Sequence, residues 1–306
     1  LNVRNLEAAC DTPDGVEGRS ASKKIDLGSS ARVCVLAALV GALYWSIVRD
    51  MVVNWWDDPN YSHGFLVPVF SGYLIWLDRE ELRSLRPQPH WLGFLVLLAG
   101  ISTLILGAAG AENYLMRSSA IIVLAGLVLF HLGTKPFHSL AFPLAFLLFM
   151  VPLPQIVFNA VTFPLQTVAA ESATRALDLL GVPVLRDGNV IHLSHVTLGV
   201  SEACSGIRSL ISLLAIAVAW GYLSLPSLTA RAVLVAVAVP IAIVANASRI
   251  VTTGLIAHWL GIRYAEGFFH TSSGLMAFLV ACAFLLVAHR LISVAAGYSR
   301  PRGTDL

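Results

Sequence analysis

Long apolar runs with few charges constrain this chain before any other feature is read. A spanning helix needs roughly 20 mostly apolar residues, with 17 to 25 tolerated. Eight stretches approach that standard: residues 33–48, 61–77, 91–110, 115–132, 137–151, 205–224, 229–248 and 271–289, the first and fifth being short. Lipid offers peptide groups no hydrogen-bond partner, so such segments must be helices that pair their backbone internally. The predicted fold class is therefore all-α, a polytopic membrane protein with about eight transmembrane helices. Pro68, Pro143 and Pro240 lie inside three of the stretches and predict bends, which neighbouring helices accommodate. Only 12% of the 306 residues are charged, against about 25% in an ordinary soluble domain, which excludes a water-soluble enzyme. A formal net charge of +2 provides no basic face for a polyanion, so no nucleic-acid partner is expected.

Residues 1–32 scatter Asp11, Asp14, Glu17, Arg19, Lys23 and Lys24 among small residues without an apolar period, and read as a flexible cytoplasmic tail. The exit of the first apolar run, Trp45-Ser46-Ile47-Val48-Arg49, lacks the small-residue pattern of a signal-peptide cleavage site, so that helix is expected to be retained. Residues 33–290 form the predicted transmembrane domain and 291–306 a cytoplasmic C-terminal tail. Lys and Arg accumulate in cytoplasmic loops. With the N-terminus inside, thirteen of the basic residues fall inside and six outside (Arg49, Arg117, Arg175, Arg186, Arg249, Arg263), Arg208 lying within the sixth span. That asymmetry favours N-in, C-in. The longest outer segment begins with a mixed stretch, 154–180, suited to a helix at the interface or lining a cavity. It continues from Val182 to Leu193, where Asp187-Gly188 between partly alternating apolar flanks predicts a short β-hairpin.

Of the four cysteines, Cys10 lies in the tail, Cys34 and Cys282 lie in spans, and Cys204 sits at the outer mouth of the sixth helix. Cysteine is commonly a small buried hydrophobe, which suits Cys34 and Cys282. Cys204 differs because it directly precedes a helix, where unpaired N–H groups and the positive dipole end favour a thiolate. Arg208, one turn on, adds positive charge to the same face. Arg249 is the next anomaly, since a central arginine costs roughly 2.5 to 3.5 kcal/mol on insertion scales. Eighteen residues from Arg231 carry the helix about 27 Å, placing Arg249 near the outer edge, where an interfacial arginine could also snorkel. Asn246, Arg249 and Thr253 share one polar stripe. His270, about 30 Å from Arg290 along the last helix, reaches the same depth as Cys204. A thiol nucleophile, an imidazole base and a fixed cation for an oxyanion therefore share one level of the membrane.

Other polar residues offer weaker readings. His192 and His195, with His63 and His270, could be imagined as a metal site, but a spacing of three in a strand points side chains to opposite faces. No metal and no cofactor is expected. Tyr61 and His63 open the second span and suit either a supporting role or interfacial anchoring. Glu202 suits substrate binding or capping of the following helix.

At these residues the chain resembles the exosortase/archaeosortase family of membrane cysteine transpeptidases. The resemblance rests on Asn60-Tyr61-Ser62-His63-Gly64-Phe65-Leu66-Val67-Pro68, Glu202-Ala203-Cys204-Ser205-Gly206-Ile207-Arg208-Ser209, Asn246-Ala247-Ser248-Arg249-Ile250, and His270 with Gly274. It implies a multi-pass enzyme of the bacterial inner membrane whose catalytic residues map to Cys204, Arg249 and His270. His63, Tyr61, Glu202, Ser205, Arg208 and Asn246 would then bind substrate or support the site. The implied partners are exported proteins ending in a Pro-Glu-Pro (PEP-CTERM) motif, a membrane helix and a basic tail, together with an acceptor molecule and membrane lipids. The expected chemistry is cleavage through a Cys204 thioester with His270 as general acid and base. Two other classes compete: an acyltransferase with a lipid donor, and a transporter or scaffold. Transport predicts a polar path across the bilayer, and the inner halves of the last three spans carry almost no ionisable residue.

Overall fold

The computed structural model describes residues 27–193, 197–199, 206–261 and 268–297, in two units, Leu1–Trp45 and Ser46–Leu306. The first unit holds the opening turns of helix α1 (Leu27–Asp57). Its side chains from Cys34 onward are mostly exposed and apolar, as lipid contact requires.

In the second unit, α1 ends at Asp57 and Asp58 starts a 3-10 turn, Pro59–Phe65. The Asp58 carboxylate accepts from the Asn60 N–H at 2.8 Å, and proline tolerates the first position because its missing N–H is not needed there. Helices α2 (Leu66–Leu77), α3 (Arg79–Ser84), α4 (Leu92–Ala109), α5 (Asn113–His131) and α6 (Thr134–Phe146) follow. A second 3-10 turn, Leu147–Met150, leads to α7 (Gln155–Leu179), a small sheet, and then α8 (Ile207–Ser224), α9 (Leu228–Leu260) and α10 (Phe268–Ala295). Ser227 caps α9 by accepting from the Ala230 N–H at 3.1 Å.

Among the described residues, six helices are long and apolar enough to cross a membrane: α1, α4, α5, α8, α9 and α10. The count is seven if the bent pair formed by Thr134–Met150 and Gln155–Leu179 is one span. The chain is thus a helical, multi-pass membrane protein, with fewer long spans than the eight apolar runs suggest. Residues 61–77 divide between a 3-10 turn and the 12-residue α2, whose rise of about 18 Å falls short of a hydrocarbon core of roughly 30 Å. Residues 137–150 belong to the first arm of the bent pair, whose two arms are bent by 75° to each other.

The bend has a local cause. Pro152 and Pro154 provide no N–H, so carbonyls at the end of the first arm lack intrahelical donors. Neighbouring side chains supply them. Trp55 Nε1 donates to the Met150 carbonyl at 2.9 Å and His63 Nε2 lies 3.1 Å from the Phe149 carbonyl; further back in the arm, buried Ser71 Oγ donates to the Pro143 carbonyl at 3.0 Å.

Helix association in lipid depends on close packing more than on apolar burial. Gly93, Gly100 and Gly107 form one buried face of α4. A Cβ at Gly107 would fall 2.8 Å from the Met116 amide nitrogen, and one at Gly126 of α5 would fall 2.7 Å from that of Leu97, so the two backbones touch. On α9, Ala230, Leu234, Ala238, Ala242 and Ala245 make a stripe at three- and four-residue spacing. It packs on Leu210, Leu213 and Ala217 of α8 and on Ala281 and Leu285 of α10.

The predicted hairpin is the first part of a three-stranded antiparallel sheet, β1 (Val184–Asp187), β2 (Val190–Leu193) and β3 (Thr197–Gly199). Asp187 pairs with Val190, so the turn residues are Gly188 and Asn189 rather than Asp187 and Gly188. Gly188 takes the positive φ of 60° that such a turn requires. Val182, Ile191 and Leu193 pack on Ala169, Ala170, Ala173 and Leu177 of α7 and on Ile250 of α9. The expected cavity-lining or interfacial stretch 154–180 is therefore a helix with one face buried beneath the sheet.

Candidate active site

Four elements converge on one cavity of about 330 Å3: the first 3-10 turn, α8, α9 and α10. Ser62 lines it from the turn, Gly206, Arg208, Ser209 and Ser212 from the start of α8, Arg249 from α9, and Gly274, Leu275 and Phe278 from α10. The opening of α8 explains much of this convergence. Gly206 is its N-cap and takes φ 79° and ψ 0°, a left-handed conformation that a Cβ disfavours. A Cβ there would also lie 2.8 Å from Asn246 Cγ and 2.9 Å from Asn246 Cβ. Glycine therefore lets the chain entering α8 rest against α9 one turn from Arg249.

Gly206→Ala is expected to lower the melting temperature of the detergent-solubilised protein, because the left-handed residue alone costs about 1–2 kcal/mol. Adding Asn246→Ala removes the Cγ and Nδ2 contacts but keeps the Cβ at 2.9 Å, so it should recover part of the steric loss and leave the double variant more stable than the two separate losses predict. Strictly additive losses would mean that the two side chains do not meet.

Arg249 is half-buried, and its Nη1 lies 3.4 Å from the position a Cβ at Gly274 would occupy. The guanidinium thus rests against the backbone of α10. His270 is one helical turn before Gly274 on that helix; the structure describes its backbone but not its side chain. Cys204, Glu202 and Ser205 lie outside the described residues, as does His195. Asn246 is buried beside Gly206 and does not line the cavity.

Tyr61 and His63 also sit away from the cavity wall, on either side of Ser62. Tyr61 is buried and meets Phe158 with ring centroids 6.3 Å apart. The His63 imidazole lies outside the long apolar helices, and burial pushes its pKa below the ordinary range. A carbonyl can only accept, so Nε2 carries the proton and donates to Phe149. His63 thereby holds the 3-10 turn to the bent segment and presents Ser62 to the cavity, a positioning role. His192 Nδ1 lies 3.1 Å from Thr197 Oγ1 across the sheet, and the described residues hold no group of three or more potential metal ligands.

Ser62, Ser212, Leu275 and Phe278 are wall residues that no motif in the sequence singles out. Ser212 carried a usable signal, lying four residues after Arg208 on one face of α8. Ser62 carried none, since its place depends on contacts with a segment nearly ninety residues away. The cavity presents two guanidinium groups and three hydroxyls, with Leu275 and Phe278 completing an apolar side. Fixed donors aimed at the place where negative charge develops stabilise it.

A bundle of long apolar helices with such a cavity among three of them defines a multi-pass membrane protein with a polar site built among its spans. The chain belongs to the transmembrane exosortase family, whose family model matches residues 55–287. That match includes every residue named in the cavity wall. Membership supports a membrane transpeptidase-type role acting on exported proteins. No curated protein and no solved structure matches the chain.

Proposed function

We propose that this protein is a membrane-embedded cysteine protease/transpeptidase that cleaves C-terminal PEP-CTERM-type sorting signals from exported proteins and passes them to a cell-surface acceptor. In this reading it lies in the bacterial inner membrane, N-in and C-in, with its cavity facing the periplasm. The observation that carries the proposal is the shared cavity wall of Gly206, Arg249 and Gly274. Gly206 follows Cys204 by two residues and Gly274 follows His270 by four. Two peptide units span at most about 7 Å and a helical turn rises about 5.4 Å. In the proposed mechanism these short separations let the Cys204 thiol and the His270 imidazole reach the cavity beside Arg249.

His270 takes the Cys204 proton, and the thiolate attacks the scissile carbonyl carbon. Arg249 holds the oxyanion of the tetrahedral intermediate. The C–N bond then breaks, His270 returns the proton to the leaving amine, and a thioester remains on Cys204. An acceptor amine or water, deprotonated by His270, attacks that thioester and regenerates the thiol.

Single-turnover incubation of the purified protein with a substrate bearing such a signal is expected to yield an enzyme-linked adduct after acid quenching. Hydroxylamine should release the adduct, as it does thioesters. Cleavage proceeding at full rate with no hydroxylamine-sensitive adduct would count against the covalent step.

A further inference from the structure

Two guanidinium groups share a cavity of about 330 Å3, near the lower end of ligand-site volumes. Chemistry at one carbonyl needs only one of them. Arg249 rests on the backbone of α10 at Gly274, one turn from His270. Arg208 projects from the first turn of α8, is exposed, and shares the face bearing Ser212. The two cations repel, and among the described residues the carboxylate whose field reaches Arg208 is Asp58, which is already engaged in capping the 3-10 turn. Among the described residues, the cavity wall itself contains no carboxylate. An exposed guanidinium on a cavity wall can take an entering anion as its partner. Arginine pairs with a carboxylate through two parallel N–H donors, and Ser209 and Ser212 add hydroxyl donors beside it. Leu275 and Phe278 on the facing side suit the apolar part of a peptide.

We infer that Arg208 binds a carboxylate side chain of the substrate next to the bond being cut, leaving Arg249 to serve the scissile carbonyl. The inference rests on the proposal above that a polypeptide is cleaved in this cavity. It makes Arg208 a specificity-determining residue and predicts discrimination between an acidic side chain and its neutral amide.

The test uses full-length protein carrying Cys204→Ala, so that binding is read without turnover. The probes are two labelled peptides, identical except that one carries Pro-Glu-Pro and the other Pro-Gln-Pro, followed by fluorescence anisotropy at fixed salt. Protein retaining Arg208 should bind the Glu peptide about tenfold more tightly, the scale expected of a charged hydrogen-bonded pair. Adding Arg208→Gln should abolish the preference, and Arg208→Lys should retain part of it, with melting temperatures checking that both variants fold. Equal affinities for the two peptides in protein retaining Arg208, including no binding of either, would overturn the inference. So would a preference that survives Arg208→Gln. Processing that proves independent of Cys204 would instead sink the proposed cysteine chemistry while leaving a measured preference intact.

Discussion

Cys204→Ala is expected to abolish shortening of a co-expressed exported reporter that ends in a Pro-Glu-Pro motif, a membrane helix and a basic tail. The wild-type chain should shorten the same reporter. Removing the attacking sulfur closes the covalent route altogether, and loss of a nucleophile in enzymes of this kind costs several orders of magnitude in rate. Residual binding and oxyanion stabilisation would still act on water, but too slowly to register in a gel-shift readout. Cys204→Ala adds no polar group and removes one sulfur atom, so membrane insertion and abundance should match wild type. Blotting of the membrane fraction checks this. Equal shortening with both proteins would sink Cys204 as the nucleophile. A reporter left intact by wild type would shift weight toward lipid-donor acyl transfer or transport.

The sequence made the long helices legible because bilayer thickness imposes a length and lipid imposes a composition. Their ends were less legible, and α9 shows why. The apolar run suggests a stop near residue 248, yet the helix continues to Leu260. Ser248 Oγ donates to the Val244 carbonyl at 2.6 Å, Thr252 Oγ1 to Ser248 at 2.9 Å and Thr253 Oγ1 to Arg249 at 2.9 Å. Hydroxyls that bond one turn back satisfy themselves within the helix, so a polar sequence there need not end a span. Residues 61–77 show the opposite error. Their composition is that of a span, but an Asp58-capped turn and the bonds from Trp55 and His63 to the bent segment set their shape. Those are long-range contacts that local hydropathy does not contain. The place of Arg249 about five turns along one continuous helix from Arg231 was readable by counting helical rise. The close approach of Gly206 to Asn246 was not, because it depends on the distance between α8 and α9, set by the alanine stripe.

Arg249→Gln is expected to lower reporter processing by about 10²–10³-fold, the usual consequence of removing one oxyanion donor. Glutamine retains an N–H donor but loses the positive charge that a forming oxyanion requires. Arg249→Lys keeps the charge as a compact ammonium and loses the planar fork, so it should fall between wild type and Gln. The roles proposed for the two arginines separate in a binding measurement. If Arg249 acts on the transition state, Arg249→Gln in Cys204→Ala protein should bind the Pro-Glu-Pro peptide nearly as tightly as its parent, since an interaction formed only in the transition state leaves ground-state affinity alone. Arg208→Gln should do the reverse and weaken binding selectively for the acidic peptide. A loss of peptide affinity in Arg249→Gln as large as its loss of processing would assign Arg249 to substrate holding instead. Unchanged processing, with a wild-type melting temperature, would leave Arg249 as a helix arginine reaching for the interface. The roughly 2.5–3.5 kcal/mol that such a residue costs at a helix centre would then be avoided by its depth rather than offset by catalysis.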